Sequence, residues 1–236
     1  MSFRAILFST VLLGLGVNPV VNGDVRLASI PGQRDSTPPQ SVVPEKGVFL
    51  VAKRGMPDPR FQRTVVLLLA HSDQGTLGLI INRPTEILLS RVLPDLKAPA
   101  SKQHALFFGG PVGMDMLLFL TRSGAPPERT RHVMADVYYS ADRDTLEQLL
   151  ETQKGSSELR MYIGHSGWAP GQLASEIARG DWLLVHGDSN TIFKSDLKTI
   201  WPKLIDKAPP PGMIIDNGEL PPAMTVMRPS FRGLLN

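Results

Sequence analysis

The chain has 236 residues, 42% hydrophobic and 20% charged, with a net charge of +3 and no cysteine. That length and apolar share suit one well-buried domain and exclude a disordered chain, while the missing cysteines exclude a disulfide framework, a thiolate metal centre, a cysteine nucleophile and a lipoprotein anchor. So small a positive surplus predicts no nucleic-acid-binding face, and the densest basic group, Lys53, Arg54, Arg60 and Arg63, is interrupted by Asp58 and reads as a solvated loop.

Residues 1–23 have a short positive start at Arg4, an uncharged apolar stretch over Ala5–Val17, helix breakers at Asn18 and Pro19, and small residues at Val21 and Gly23. This is the three-part pattern of a cleaved secretory signal peptide, and its apolar stretch is too short for an ordinary transmembrane helix. The expected location is therefore secreted or periplasmic, with a cytoplasmic protein as the alternative. Residues 24–46 hold Pro31, Pro38, Pro39 and Pro44 without helix or strand periodicity and read as an extended linker. The folded body is expected over 47–207, with a Pro-rich tail over 208–236.

Within the body, Val48–Ala52, Thr64–Ala70 and Leu77–Ile81 read as strands, the last two joined by the turn Asp73–Gly75. Neither of those two alternates, so both faces should be covered. Glu86–Leu93 reads as a short helix stopped by Pro94. Leu106–Phe108 and Met116–Thr121 read as strands around a GGPVG turn, and Val133–Tyr138 as one further strand. Ser140–Lys154 is the clearest helix, with Ser140 or Asp142 as cap and Leu146, Leu149 and Leu150 on one face. Leu159–Ile163 and Trp182–His186 read as strands, Pro170–Arg179 and Ser195–Lys207 as helices, with Pro202 bending or restarting the last. Strands interleaved with few helices favour α+β over a doubly wound sheet.

Four stretches, FLVAKRGMPDPRF (Phe49–Phe61), HSDQGTLGLIINRP (His71–Pro84), FFGGPV (Phe107–Val112) and YIGHSGWAPGQL (Tyr162–Leu173), together resemble the YqgE/AlgH family of bacterial proteins. Glu176, Trp182 and Thr191–Phe193 continue the pattern in order. The resemblance implies a single compact α+β domain with a curved, barrel-like mixed β-sheet flanked by a few helices, and brings no established reaction. Members are often labelled transcriptional regulators, which is not a mechanism. This chain departs from the family at Ala70, where an acidic residue is expected before His71, and in its N-terminal extension.

The chemistry of the motifs is weak for catalysis. Gly164-His165-Ser166-Gly167-Trp168 approaches the G-x-S-x-G elbow of α/β-hydrolases, yet ends on the bulkiest residue where the elbow needs a small one. Gly109-Gly110-Pro111 lacks the spacing and the Lys-Ser/Thr of a phosphate loop and points to close approach of two backbones. No two of the five histidines have the spacing of a helical zinc site, so no metal or cofactor is expected. Arg83 presents a fork suited to a carboxylate or phosphate, with pairing to Glu86 or Asp115 as the structural alternative. Gln172 and Glu176 share a helix face beside Trp168. The candidate binding cleft accordingly comprises His71, Asn82, Arg83, Gly109, Gly110, Pro111, His165, Gly167, Trp168, Gln172 and Glu176. The expected function is non-enzymatic binding or regulation, directed at an unidentified protein or small molecule rather than nucleic acid. The rivals are a small-molecule enzyme using the same cleft and, for a cytoplasmic protein, a DNA-contacting regulator.

Overall fold

A computed structural model describes residues 42–96, 104–152 and 155–207. The expected signal peptide and Pro-rich tail lie outside those residues, as does nearly all of the expected linker. Ten strands and five helices are described: β1 (Val48–Ala52), β2 (Val65–Ser72), β3 (Gly75–Ile80), β4 (Pro84–Leu88), α1 (Leu89–Val92), β5 (Ala105–Phe108), β6 (Val112–Arg122), β7 (Arg131–Met134), β8 (Val137–Ser140), α2 (Arg143–Glu151), β9 (Leu159–Trp168), α3 (Gln172–Ala178), β10 (Trp182–His186), α4 (Ser189–Phe193) and α5 (Leu197–Lys207). A 3-10 turn at Pro59–Phe61 precedes β2. No helix among the described residues is long and apolar enough to cross a membrane.

The sheet runs β10-β1-β2-β3-β9-β6-β8-β7, with β4 paired to β5 and β5 paired to β9. Every pairing is antiparallel except β5 with β9, where Phe107 lies beside Tyr162. Strand β9 joins the two halves. Its first half lies between β5 and β6, and its second half pairs with β3 through Gly78 and Ser166. The sheet curls, so that Val133 of β7 and Leu69 of β2 meet in one interior cluster. It forms an α+β domain on a curved, half-barrel mixed sheet.

Side-chain alternation divides the apolar residues among three clusters. Phe49 and Val51 of β1, Leu67 and Leu69 of β2, and Tyr162 of β9 point inward, where α4 and α5 close the curl with Ile192, Phe193, Ile200 and Ile205. Val48, Leu50, Val66, Leu68 and Ile80 point outward under α3, with Trp168, Leu173 and Trp182. On the other half, Leu159 and Met161 point outward under α2, which contributes Leu146, Leu149 and Leu150. Apolar residues on both faces explain why β2 reads as a continuous apolar run.

The middle of β9 depends on glycine. Tyr162 faces the interior and Trp168 the outer face, although both are even-numbered, so the alternation changes phase between them. Gly164 lies at that point with φ of 68°, and a Cβ there would stand 2.4 Å from the Gly110 carbonyl oxygen. Gly109 and Gly110 meet the same strand equally closely: a Cβ on Gly109 would lie 2.3 Å from the Gly164 oxygen. The GGP and GHSG motifs are two sides of one backbone contact that leaves no room for a side chain.

Several elements differ from those the sequence predicts. The segment read as a helix over Glu86–Leu93 is strand β4 followed by one helical turn, because the Thr85 hydroxyl donates to the Leu106 carbonyl at 2.8 Å and β4 pairs with β5. Val133–Tyr138 is not one strand but the β7–β8 hairpin, which turns at Ala135 with φ of 41° and without a Gly, Pro or Asn to mark it. Helix α4 was not expected; Asp188 caps it by accepting from the Thr191 amide at 2.8 Å. Helix α5 runs through Pro202 without restarting. Strand β9 continues through the whole GHSGW motif instead of ending at Ile163, since Leu77 pairs with Gly167. Asp142, not Ser140, caps α2, accepting from the Thr145 amide at 2.9 Å.

Candidate binding groove

A groove of about 780 Å³ opens where the β1 end, the 3-10 turn, the β9 end, α3 and the start of β10 meet. Its floor is aromatic. The Trp168 and Trp182 rings meet edge to face at 6.0 Å between centroids, and Phe61 stacks on Trp168 at 6.2 Å. The two indoles are 5% and 3% exposed, so most of their area supports the fold and only their edges reach the groove.

The N–H groups of two buried indoles need acceptors, and one carboxylate supplies both. Trp168 Nε1 and Trp182 Nε1 each donate to Glu176 Oε2 at 2.8 Å. Gln172 Nε2 donates to the other oxygen at 2.9 Å, while Gln172 Oε1 accepts from the Ala169 amide at 3.1 Å. The four-residue spacing of Gln172 and Glu176 on α3 is what places both over the Trp pair.

Charged pairs form the rim. Asp181 accepts from Lys53 Nζ at 2.7 Å and from Arg179 at 2.8 Å, and these contacts, led by the one with Lys53, hold its carboxyl below the ordinary carboxylate range. Arg60 bonds Asp58 at 2.7 Å and lowers that carboxyl likewise. The carboxylates sit deeper than their partners: Asp181 is 10% exposed and Arg179 61%. The outward face of the rim is therefore cationic.

Of the expected cleft residues, Pro111, Gly167, Trp168, Gln172 and Glu176 line this groove. Gly109 and Gly110 lie behind its wall, against Gly164 and His165. Asn82 and Arg83 brace the segment that carries Phe61. Asn82 Oδ1 accepts from the Val65 amide and its Nδ2 donates to the Arg63 carbonyl, both at 2.9 Å. The Arg83 guanidinium donates to the carbonyls of Arg60 and Gln62, and burial lowers its pKa. The Arg83 fork thus grips main chain of its own protein. His71 stands at the exposed end of β2, where its Nδ1 lies 2.7 Å from the Thr76 hydroxyl. His165 faces Gly113 and Gly167, and burial lowers its pKa.

Ser166 is fully buried in mid-strand and its hydroxyl donates to the Gly109 carbonyl at 3.2 Å. A nucleophile elbow presents its serine at an exposed, sharp turn; here the serine closes the glycine junction from inside. No cluster of three or more His, Asp or Glu able to hold a metal occurs among the described residues.

Lys53, Arg60, Arg179 and Asp181 also line the groove, outside the cleft expected from the sequence. Only the Arg179-Gly180-Asp181-Trp182 run carries a local signal, with a glycine ending α3 and an acidic residue just before a motif Trp.

The curled sheet defines the class, a half-barrel α+β domain. Residues 49–211 match the family described as DUF179, AlgH-like, and the chain belongs to that family. It is 35% identical over 173 residues to the UPF0301 protein Rv0038 of Mycobacterium tuberculosis, covering 70% of this chain and 83% of that one. A UPF0301 protein of Mycobacterium avium is 34% identical over the same length. Among solved structures, protein DIP2367 from Corynebacterium diphtheriae superposes with a TM-score of 0.62 at 24% identity, over 73% of this chain and 91% of that one. The AlgH protein of Pseudomonas aeruginosa gives 0.55 at 33% identity, over 66% and 85%.

Proposed function

We propose that this chain is a non-enzymatic binding or regulatory domain whose ligand or partner occupies the groove over Trp168 and Trp182, and that it is exported to the periplasm or beyond. The observation that carries the binding reading is the closed hydrogen bonding of the groove. Glu176 accepts three N–H bonds and Asp181 binds two cations, so the carboxylates a catalyst would use as acid or base already act as structural acceptors. The buried Ser166 supports the same reading. Groove volume falls within the range of small-molecule sites, which supports a ligand of that size and keeps an enzyme as the second reading. Export rests on the leader pattern in residues 1–23.

Two substitutions separate binding from catalysis. Gly167 lines the groove, and a Cβ built on it would meet nothing closer than 3.9 Å, so Gly167→Leu adds bulk at the site from a position whose first carbon is accommodated. Binding predicts that Gly167→Leu in the host reproduces the phenotype of deleting the gene, while Ser166→Ala behaves as wild type. The reverse pattern overturns the reading in favour of a serine hydrolase. Mass spectrometry of the protein from its host tests export: a terminus near Asp24 supports it, and an intact Met1 or Ser2 terminus on cytoplasmic protein overturns it.

A further inference from the structure

Next to the groove, β6 carries groups that neither the core nor the groove uses. Val112 pairs with His165 and Leu117 with Ile163, so the four residues Gly113–Met116 stand opposite Gly164 alone. The surplus arches away from the sheet and leaves Met114 52% and Met116 44% exposed. Two half-exposed thioethers on one bulge are an unusual use of residues that normally fill cores.

Under the arch lies the His165 ring. Its Nδ1 is shielded from solvent and has no hydrogen-bond partner, a state native proteins avoid unless the atom has another use. A neutral imidazole keeps a lone pair on one ring nitrogen, the form in which it serves as a metal ligand. No side chain fills the space beside it, because residue 113 is glycine. A methyl group built on Gly113 would stand 3.0 Å from Met116 Sδ and 3.3 Å from His165 Nδ1. A sulfur and an orphaned nitrogen thus border one small gap, each near 3 Å from a common point. Met114 Sδ lies 2.9 Å from the position of a methyl on Gly164, the neighbour of His165 that stands opposite the bulge.

We propose that His165 Nδ1 and the sulfurs of Met116 and Met114 form a binding site for a soft monovalent metal ion, Cu(I). Thioether and imidazole donors without carboxylate are a set that selects Cu(I) over hard divalent ions. Metal–nitrogen and metal–sulfur bonds run at about 2.0–2.3 Å, and the flexible methionine chains let the sulfurs move to reach that distance. Gly113 is then the residue that keeps the gap open. The site does not depend on what occupies the groove.

The test uses the full chain with 13C-labelled methionine methyl groups. Ag(I) serves as the redox-inert probe in NMR titration, and Cu(I) is measured in competition with a chromophoric chelator. The expected result is one equivalent of metal bound, with methyl shifts confined to two resonances that disappear in Met114→Leu and Met116→Leu. Met116→Leu and His165→Gln each weaken Cu(I) binding at least tenfold, and Zn(II) leaves the spectrum unchanged. Met116→Leu conserves volume at an exposed position and so stays folded even if His165→Gln does not. Failure to hold Cu(I) against the chelator, equal affinity in Met116→Leu, or shifts spread over the other methionines overturns the proposal.

Discussion

The two outer faces of the curled sheet are sealed in different ways. Over β5, β6 and β9 the cover is α2, a nine-residue helix that buries Leu146, Leu149 and Leu150 on strand residues such as Leu159 and Met161. What remains open there is a small apolar hollow of about 280 Å³. Over β1, β2 and β3 the cover is α3, seven residues long, with Leu173 as its one fully buried side chain. The shorter helix leaves sheet area that two indoles must complete, and indoles bring N–H groups that an aliphatic cover does not. Glu176 answers that need, and the larger groove follows. The groove is thus the consequence of closing one face with rings and a carboxylate instead of a leucine stripe.

Removing the main cover residue on either face should be comparably severe. Trp168→Ala is expected to cost about 3–5 kcal/mol and Leu146→Ala about 2–5 kcal/mol, as for large-to-small core changes. Chemical denaturation of both proteins measures this. A Trp168→Ala loss under about 1 kcal/mol would mean the ring is a groove lining rather than a cover.

Glu176 is where the faces differ most. Glu176→Leu keeps apolar bulk but strands the Trp168 and Trp182 N–H groups, at about 1–3 kcal/mol for an orphaned donor. Glu176→Gln retains one oxygen able to accept both and should recover most of the loss. Equal stability of the Leu and Gln variants in denaturant melts would remove the acceptor argument.

The rim adds a pH dependence of its own. The folded-state carboxyl of Asp181 is depressed, chiefly by Lys53. A depressed acid contributes stability above its unfolded pKa, near 3.9 for Asp, and loses it as pH falls through the folded value. Melting temperature should therefore drop more steeply below about pH 4 in the wild type than in Asp181→Asn. Superimposable slopes for the two would show that the rim pairs contribute nothing to folding.

The core strands were legible because their residues carry their own pattern. Val48–Ala52 and Trp182–His186 have the predicted bounds, and Leu146, Leu149 and Leu150 mark α2 from spacing alone. What escaped was set by partners distant in sequence. Strand β4 exists because β5 pairs with it, overriding a local helical preference, and β9 continues through Gly164 and Gly167 because β3 lies alongside. The same reason governs the site. Gln172, Glu176 and Trp168 lie within one helix and its entry, so their association could be read from spacing. Lys53 and Asp181 are separated by most of the domain and meet only because β1 pairs with β10. Met114 and Met116 give no signal until the register shows a bulge opposite Gly164. Arg83 misleads for a related reason: its fork suits an anion, but two main-chain carbonyls lie within its reach.

The smallest expected effect concerns the residue that most resembles a catalyst. Ser166 sits at the seam between the two halves of β9, fully buried, with its hydroxyl donating to Gly109 at 3.2 Å. Removing that hydroxyl deletes one neutral hydrogen bond. The Gly109 amide still donates to the Ile163 carbonyl at 2.9 Å, and the Gly109 carbonyl still accepts from the Ile80 amide at 2.8 Å, so the junction keeps its main-chain bonds. The change also shrinks the side chain by a single oxygen, too little to open a cavity that water would fill. Ser166→Ala should therefore lower stability by about 1 kcal/mol or less, the net worth of an ordinary hydrogen bond, and leave the resonances of the Trp168 and Trp182 indole N–H groups in place. A loss of several kcal/mol would show that the seam, and not the covers on the two faces, is the weakest joint of the sheet.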